Sequence, residues 1–330
     1  MIAPSRRLVA SCLLMVIAAL LLAAWGLRSG TVMLTFTQVF DALSGAAPRA
    51  MQLVVMEWRL PRVLMALVVG AALGVSGAIF QSLMRNPLGS PDVMGFNTGA
   101  WSGVLVAMVL FGQHLTAIAL AAMAGGILTS LLVWLLAWRN GIETFRLIIV
   151  GIGVRAMLVA FNTWLLLKAS LETALSAGLW NAGSLNGLTW AKTLPSVPIM
   201  LAMFVCAALL ARRMRLLEMG DDSACALGVN VERSRLLLML VAVALTAAAT
   251  ALAGPISFIA LVAPHIARRL SGTARWGLTQ SALCGALLLL LADMIAQRGF
   301  TPYQLPVGVV TVSLGGIYLI ALLIQESRKK

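Results

Sequence analysis

Apolar runs of about bilayer-crossing length alternate with short polar or basic interruptions along the whole chain. The runs lie at about 8–27, 62–84, 94–112, 115–138, 145–168, 194–211, 236–253, 278–296 and 306–324, with a shorter apolar piece at 256–267. A membrane-spanning helix takes about 20 apolar residues. The pattern therefore predicts an all-α polytopic membrane protein of about ten transmembrane helices. Pro61 suits the first turn of the second run. The small residues of 70–79, Gly-Ala-Ala-Leu-Gly-Val-Ser-Gly-Ala-Ile, let helices approach closely in lipid. Residues 85–92 carry two prolines and read as a turn-rich connector.

The polar interruptions differ from one another. Residues 28–59 contain a short surface helix at Thr35 to Leu43, and 169–192 reads as a polar segment with Gly, Asn and Trp. The longest charged passage is 212–235. Within it, residues 221–228 form one short helix, with Asp221 or Asp222 accepting from the free N–H groups at its start. Gly228 supplies the left-handed residue that ends it. Asn230 caps a second short piece, and Glu232 falls in a first turn where the helix dipole favours an acid. The passage reads as two short helices held outside the lipid between two spans.

Composition sharpens this picture. The 330 residues are 61% hydrophobic and 11% charged, whereas a soluble domain carries about 25% charged residues. The chain reads as one transmembrane domain, 1–330, with no segment polar and long enough for a second, soluble one. A net charge of +13 invites a nucleic-acid partner. The basic residues, however, sit in short clusters at span ends, which fits a lipid bilayer and no nucleic acid. With the N-terminus inside, the larger share of the 24 Lys and Arg falls on the inner side. Both termini and 212–235 are then cytoplasmic, and 28–59 and 169–192 face outward. The run after Arg6 and Arg7 is long for a signal peptide and reads as an uncleaved first span. Cys12, Cys206, Cys225 and Cys284 are scattered, and His114 and His265 are far apart, so neither a disulfide framework nor a metal site is indicated.

Candidate chemistry is sparse. No P-loop, paired carboxylates or nucleophile elbow occurs, so the chain is read as non-catalytic and without a cofactor. Arg155 and Asp293 are the charges within spans, and a charge in the membrane is a functional candidate by default. Their opposite signs allow a mutual pair or pairing with backbone carbonyls. An ion-coupled secondary transporter is the alternative class, and it calls for more midplane polar groups than these.

Four stretches in order carry a family resemblance. They are Gly254-Pro255-Ile256-Ser257-Phe258-Ile259, Val262-Ala263-Pro264-His265-Ile266-Ala267-Arg268, Leu291-Ala292-Asp293 and Leu305-Pro306-Val307-Gly308-Val309-Val310-Thr311. Arg59-Leu60-Pro61-Arg62 and Asn86-Pro87-Leu88 extend the match to the first half. Together they resemble the FecCD-type permeases of iron–siderophore and cobalamin ABC importers. The resemblance implies a type II ABC importer permease in the bacterial inner membrane, with a ferric siderophore, ferric enterobactin foremost, as cargo. It implies separate P-loop ATPase subunits, a second and different permease chain, and a periplasmic siderophore-binding protein. It assigns ATPase coupling to Asp221, Asp222, Ser223, Ala226, Leu227, Gly228, Asn230, Glu232 and Arg233 within the cytoplasmic loop 212–235. Binding-protein docking goes to Arg59, Arg62 and Arg298, and the cytoplasmic gate to Asn86, Leu88, Thr144 and Phe145. A pore wall from the fifth and tenth spans, with room left by Gly151, Gly153, Gly315 and Gly316, is implied in the same way.

Overall fold

The elements follow the apolar runs closely. A computed structural model describes residues 6–30, 32–112, 114–138, 144–194, 196–273, 276–300 and 303–327. The chain opens with α1 (Arg6–Arg28), α2 (Phe36–Ser44) and α3 (Arg49–Gln52), followed by a π-helical stretch, Leu53–Arg59, that runs straight into α4 (Leu60–Met84). After a 3₁₀ turn at Pro91–Met94 come α5 (Phe96–Phe111), α6 (Leu115–Ala137) and α7 (Thr144–Lys168). Next are α8 (Leu171–Asn181), α9 (Trp190–Thr193), α10 (Ser196–Leu217) and α11 (Asp221–Ala226). The last four are α12 (Val231–Ala253), α13 (Ile259–Ser271), α14 (Leu278–Arg298) and α15 (Val307–Ser327).

Among the described residues, seven helices are long and apolar enough to cross a membrane, and Phe96–Phe111 and Val307–Leu322 are shorter apolar helices. One reading of the polar segments gains detail and another is corrected. Residues 169–192 are largely helical, forming α8 and α9, because Ser170 caps α8 by accepting from the Thr173 N–H. The second short helix expected after Gly228 is instead the first turn of α12, which begins at its Asn230 cap and continues unbroken to Ala253. Nothing at Leu236 interrupts the i→i−4 ladder, so the polar turn and the apolar run form one helix.

The centre of the bundle is α4, which packs on α14, α12 and α13. Its faces are buried nearly all round, with Val69, Ala72, Ala78 and Ile79 fully enclosed. Lipid tails are as apolar as leucine, so burial alone cannot hold such helices together; close packing and interhelical hydrogen bonds do. Both are present. Gly70 lies against the Gly285 backbone and Gly77 against the Ala260 carbonyl, with no room for a Cβ at either. Ser76 Oγ is 2.8 Å from the Ala242 carbonyl oxygen and from Thr246 Oγ1, and Gln81 Nε2 donates to the Leu261 carbonyl at 2.8 Å. These bonds tie α4 to α12 and α13.

The helices α5 and α6 pack side by side, and α7 lies outside them against both. Much of α7 and α15 is left uncovered: Ile152, Met157, Trp164, Val312 and Ile317 are exposed. The N-terminus of α15 is pinned where the Gly308 N–H donates to the Gly183 carbonyl at 3.0 Å, beside the Ser184 N–H to Ala253 carbonyl bond of 2.7 Å.

Candidate functional site

Three groups of the sequence-selected residues sit at different depths. At one end lies the charged passage. Gly220, at φ +112°, turns the chain out of α10 and starts α11. The expected aspartate cap is absent: no side chain caps α11, and Asp221 bonds elsewhere. Its carboxylate accepts from Arg85 and from Arg235, each at 2.8 Å. A charge-assisted bond to guanidinium is stronger than one to a neutral N–H, so the ion pairs take the oxygens. Arg85 also donates to the Leu217 carbonyl at 3.0 Å, and Ser82 donates to Glu218 at 2.9 Å. The passage is thereby fastened to the end of α4. Gly228 has φ +79°, the left-handed conformation expected of it. Asn230 accepts from the Arg233 N–H at 2.9 Å, and Glu232 stands in the first turn of α12. Ala224 is buried, while Asp222, Ser223, Ala226, Leu227, Gly228, Asn230, Glu232 and Arg233 are exposed.

Arg85 leads into the 86–88 turn, where the Leu88 N–H bonds Asn86 Oδ1 at 2.9 Å. Asn86 and Leu88 line a cavity of about 230 Å³ with His265 of α13 and Tyr318 of α15, which bond each other. Phe145 is exposed at the start of α7 and takes no part in this cavity. Thr144 opens α7, and its side chain lies outside the described residues.

The outer arginines gather at the opposite end. Arg59 Nη1 donates to the Leu27 and Arg28 carbonyls, both at 2.9 Å, and its Nη2 to that of Val32 at 2.6 Å. Arg62 grips Asp293 in a two-pronged bond of 2.9 and 2.8 Å. Arg298 lies over the Trp25 ring, 5.9 Å from its centroid. The Arg155–Asp293 pair allowed by the sequence does not form. Asp293 is 2% exposed at its side chain, and its remaining capacity goes to Gln297 at 2.7 Å. Arg62 and Asp293 are far apart in sequence but face each other where α4 meets α14.

Between the two ends lies a cavity of about 570 Å³, walled by α5, α7, the end of α8, residues 255–257 and the start of α15. Arg155 is in its wall, with Asn97, Trp101, Asn162 and Ser313. Asp92 lies within electrostatic reach of Arg155 and accepts from Asn97 Nδ2.

Comparison with known proteins places this arrangement. The model of the FecCD transport family matches residues 14–325. The chain belongs to the FecCD transport family. It is 83% identical, over all of both chains, to the ferric enterobactin transport system permease protein FepG of Escherichia coli (strain K12). It is 38% identical to the achromobactin transport system permease protein CbrC of Dickeya dadantii (strain 3937), covering 96% of this chain and 91% of that one. A solved metal-chelate type ABC transporter in an inward-facing conformation matches with a TM-score of 0.82 at 27% identity, covering 96% of this chain and 99% of that one.

For several polar positions that the sequence singled out, the structure supplies partners that the sequence did not name. The sequence singled out Asp221, Asn86, Arg62, Arg155 and Asp293. It missed Asp92, which sits in a connector rather than a span, and it missed Arg85 and Arg235 as holders of Asp221. The two prolines before Asp92 marked only a turn. One signal was available for Arg85: it is the basic residue adjoining Asn86-Pro87-Leu88.

Proposed function

We propose that this chain is a permease subunit of an ABC importer that carries a ferric siderophore, ferric enterobactin, across the bacterial inner membrane. The observation that carries the reading is the 83% identity over full length to a ferric enterobactin permease protein. In this reading the chain is one non-catalytic transmembrane unit of ten passes, with both termini in the cytoplasm. The three passes beyond the seven long apolar helices are the shorter α5, α13 and α15. Separate P-loop ATPase subunits hydrolyse ATP. A second permease, a different homologous chain, covers the exposed faces of α7 and α15.

The site assignments follow from that placement. The exposed residues 222–233 around α11 contact the ATPase, and the Asp221–Arg85 pair carries their movement to the 86–88 turn. That turn, with Thr144 and Phe145, closes the pathway on the cytoplasmic side. Arg59, Arg62 and Arg298 stand at the opposite end as the docking site for a siderophore-loaded periplasmic binding protein. The bond between Arg62 and Asp293 leaves Arg62 Nη1 for that partner. Because Arg62 also holds α14, a docking test belongs on Arg298 first.

The reading is tested by reconstituting the chain with a partner permease, ATPase and binding protein in proteoliposomes. ATP-dependent accumulation of radiolabelled ferric enterobactin is expected. Accumulation driven by an ion gradient without the ATPase subunits, or none with them, overturns it. Arg298→Glu is expected to weaken binding-protein affinity about tenfold by turning attraction into repulsion.

A further inference from the structure

Arg155 lies near the middle of α7, about 15 Å or more from either end at 1.5 Å per residue. A charge at that depth is costly in lipid and turns toward a partner or a polar cavity. Here it does both. Its side chain is exposed to the 570 Å³ cavity, and Asp92 lies within electrostatic reach of it. Among the described residues, the wall includes Arg155 as its charged member; Asp92 is outside the wall.

A second observation concerns Asn162, about two helical turns after Arg155 on the same helix. It is 3% exposed, yet it belongs to the cavity wall. Its Nδ2 donates to the Thr98 carbonyl at 3.5 Å, and its Oδ1 has no hydrogen-bond partner. The orientation of the amide is set by Thr98, since a carbonyl accepts only from the nitrogen. That oxygen is itself closed off from solvent, so Asn162 lines the wall without presenting a free acceptor to it. The cavity thus offers guanidinium N–H groups to acceptor oxygens.

We propose that Arg155, balanced by Asp92, forms a selectivity site within the pathway for anionic, oxygen-rich metal chelates. The proposal rests on the importer reading above and names a residue-level device for it. Asp92 gives the site its working strength. An unbalanced guanidinium in a low-dielectric wall holds a polyanion tightly, whereas conduction needs a site that is favourable to enter and easy to leave. Ferric catecholates, which are net negative, fit this chemistry; neutral ferric hydroxamates do not use the charge.

The test uses the full transporter in proteoliposomes, with ferric enterobactin delivered by its binding protein. R155Q is expected to lower uptake per ATP hydrolysed about tenfold, a loss of the size seen when a close charge pair is broken. R155K, which keeps the charge, is expected to recover most of it; a residue with only a packing role does not discriminate between the two. Asn162→Asp, of unchanged shape, places a repelling charge in the wall and is expected to lower coupling by a similar factor. It also serves if R155Q fails to assemble. Wild-type coupling in R155Q or in Asn162→Asp overturns the proposal while leaving the importer reading in place. Failure of the unaltered transporter to take up ferric enterobactin overturns the importer reading itself.

Discussion

Glycine means opposite things in the two halves of this molecule. Where α4 crosses α14 and α13, Gly70, Gly77 and Gly285 bring backbones into contact, and any Cβ lands on a carbonyl. On α7 and α15, Gly153 and Gly316 have nothing within 4 Å of where a Cβ would be. The first region is dry, closed and tied by hydrogen bonds between helices. The second borders the cavity and is uncovered. The lesson is that small residues in a membrane helix mark either the tightest contact or the emptiest space. Gly315, expected to leave space, belongs to the first kind, since it is pressed against Phe258.

The comparison breaks most visibly at the Arg62–Asp293 pair, a charged bond inside the closed region. Arg62→Ala leaves a buried carboxylate without its partner and is expected to cost roughly 3–5 kcal/mol. Arg62→Leu with Asp293→Leu is expected to recover most of that, because the pair is replaced by apolar packing. Thermal unfolding of the single and double variants in detergent measures the difference; additive losses would show that the two side chains do not act as a pair.

Gly77→Ala comes next. The added methyl meets the Ala260 backbone, which has no rotamer to change, so a loss of about 1–3 kcal/mol is expected. An unchanged melting temperature would mean that α4 and α13 sit further apart than described.

Asp221→Ala is expected to cost less, within about 1 kcal/mol, because its ion pairs with Arg85 and Arg235 are partly exposed. Its effect falls on function: uptake per ATP hydrolysed drops while the protein stays folded. Wild-type coupling would remove Asp221 from the path between α11 and the 86–88 turn.

The smallest stability effect is expected at the open glycines. Gly153→Ala and Gly316→Ala are expected to change stability by no more than about 1 kcal/mol, alanine being the better helix former. Bulkier Gly153→Leu is expected to leave the fold intact and slow uptake by filling the space. A folding defect there would erase the contrast between the two regions.

Much of this was legible in advance. The apolar runs located the long helices within a few residues, and Gly228, Asn230 and Thr35 took the capping roles that their types favour. These features are local: a span or a cap depends on residues within one or two turns of one another. The ordered motifs also identified the family. Helix α8 was not singled out in advance, because its 11 residues are too few to stand out as a span among the longer apolar runs.

What the chain determined by itself, then, is its membrane character, its helices, their caps and its family, all of which follow from residues near one another. Which charges meet was decided by tertiary structure alone. Asp293 had Arg155 as an eligible partner and found Arg62, 231 positions away. Asp221 was equally eligible as a cap and became a bridge to Arg85, 136 positions away. A carboxylate accepts from any donor brought within reach, so its chemistry names a class of partners. Only the packing of α4 against α14, and of the charged passage against the end of α4, selects one. Whether a glycine closes a contact or opens a cavity is settled in the same way, by the backbone that lies opposite.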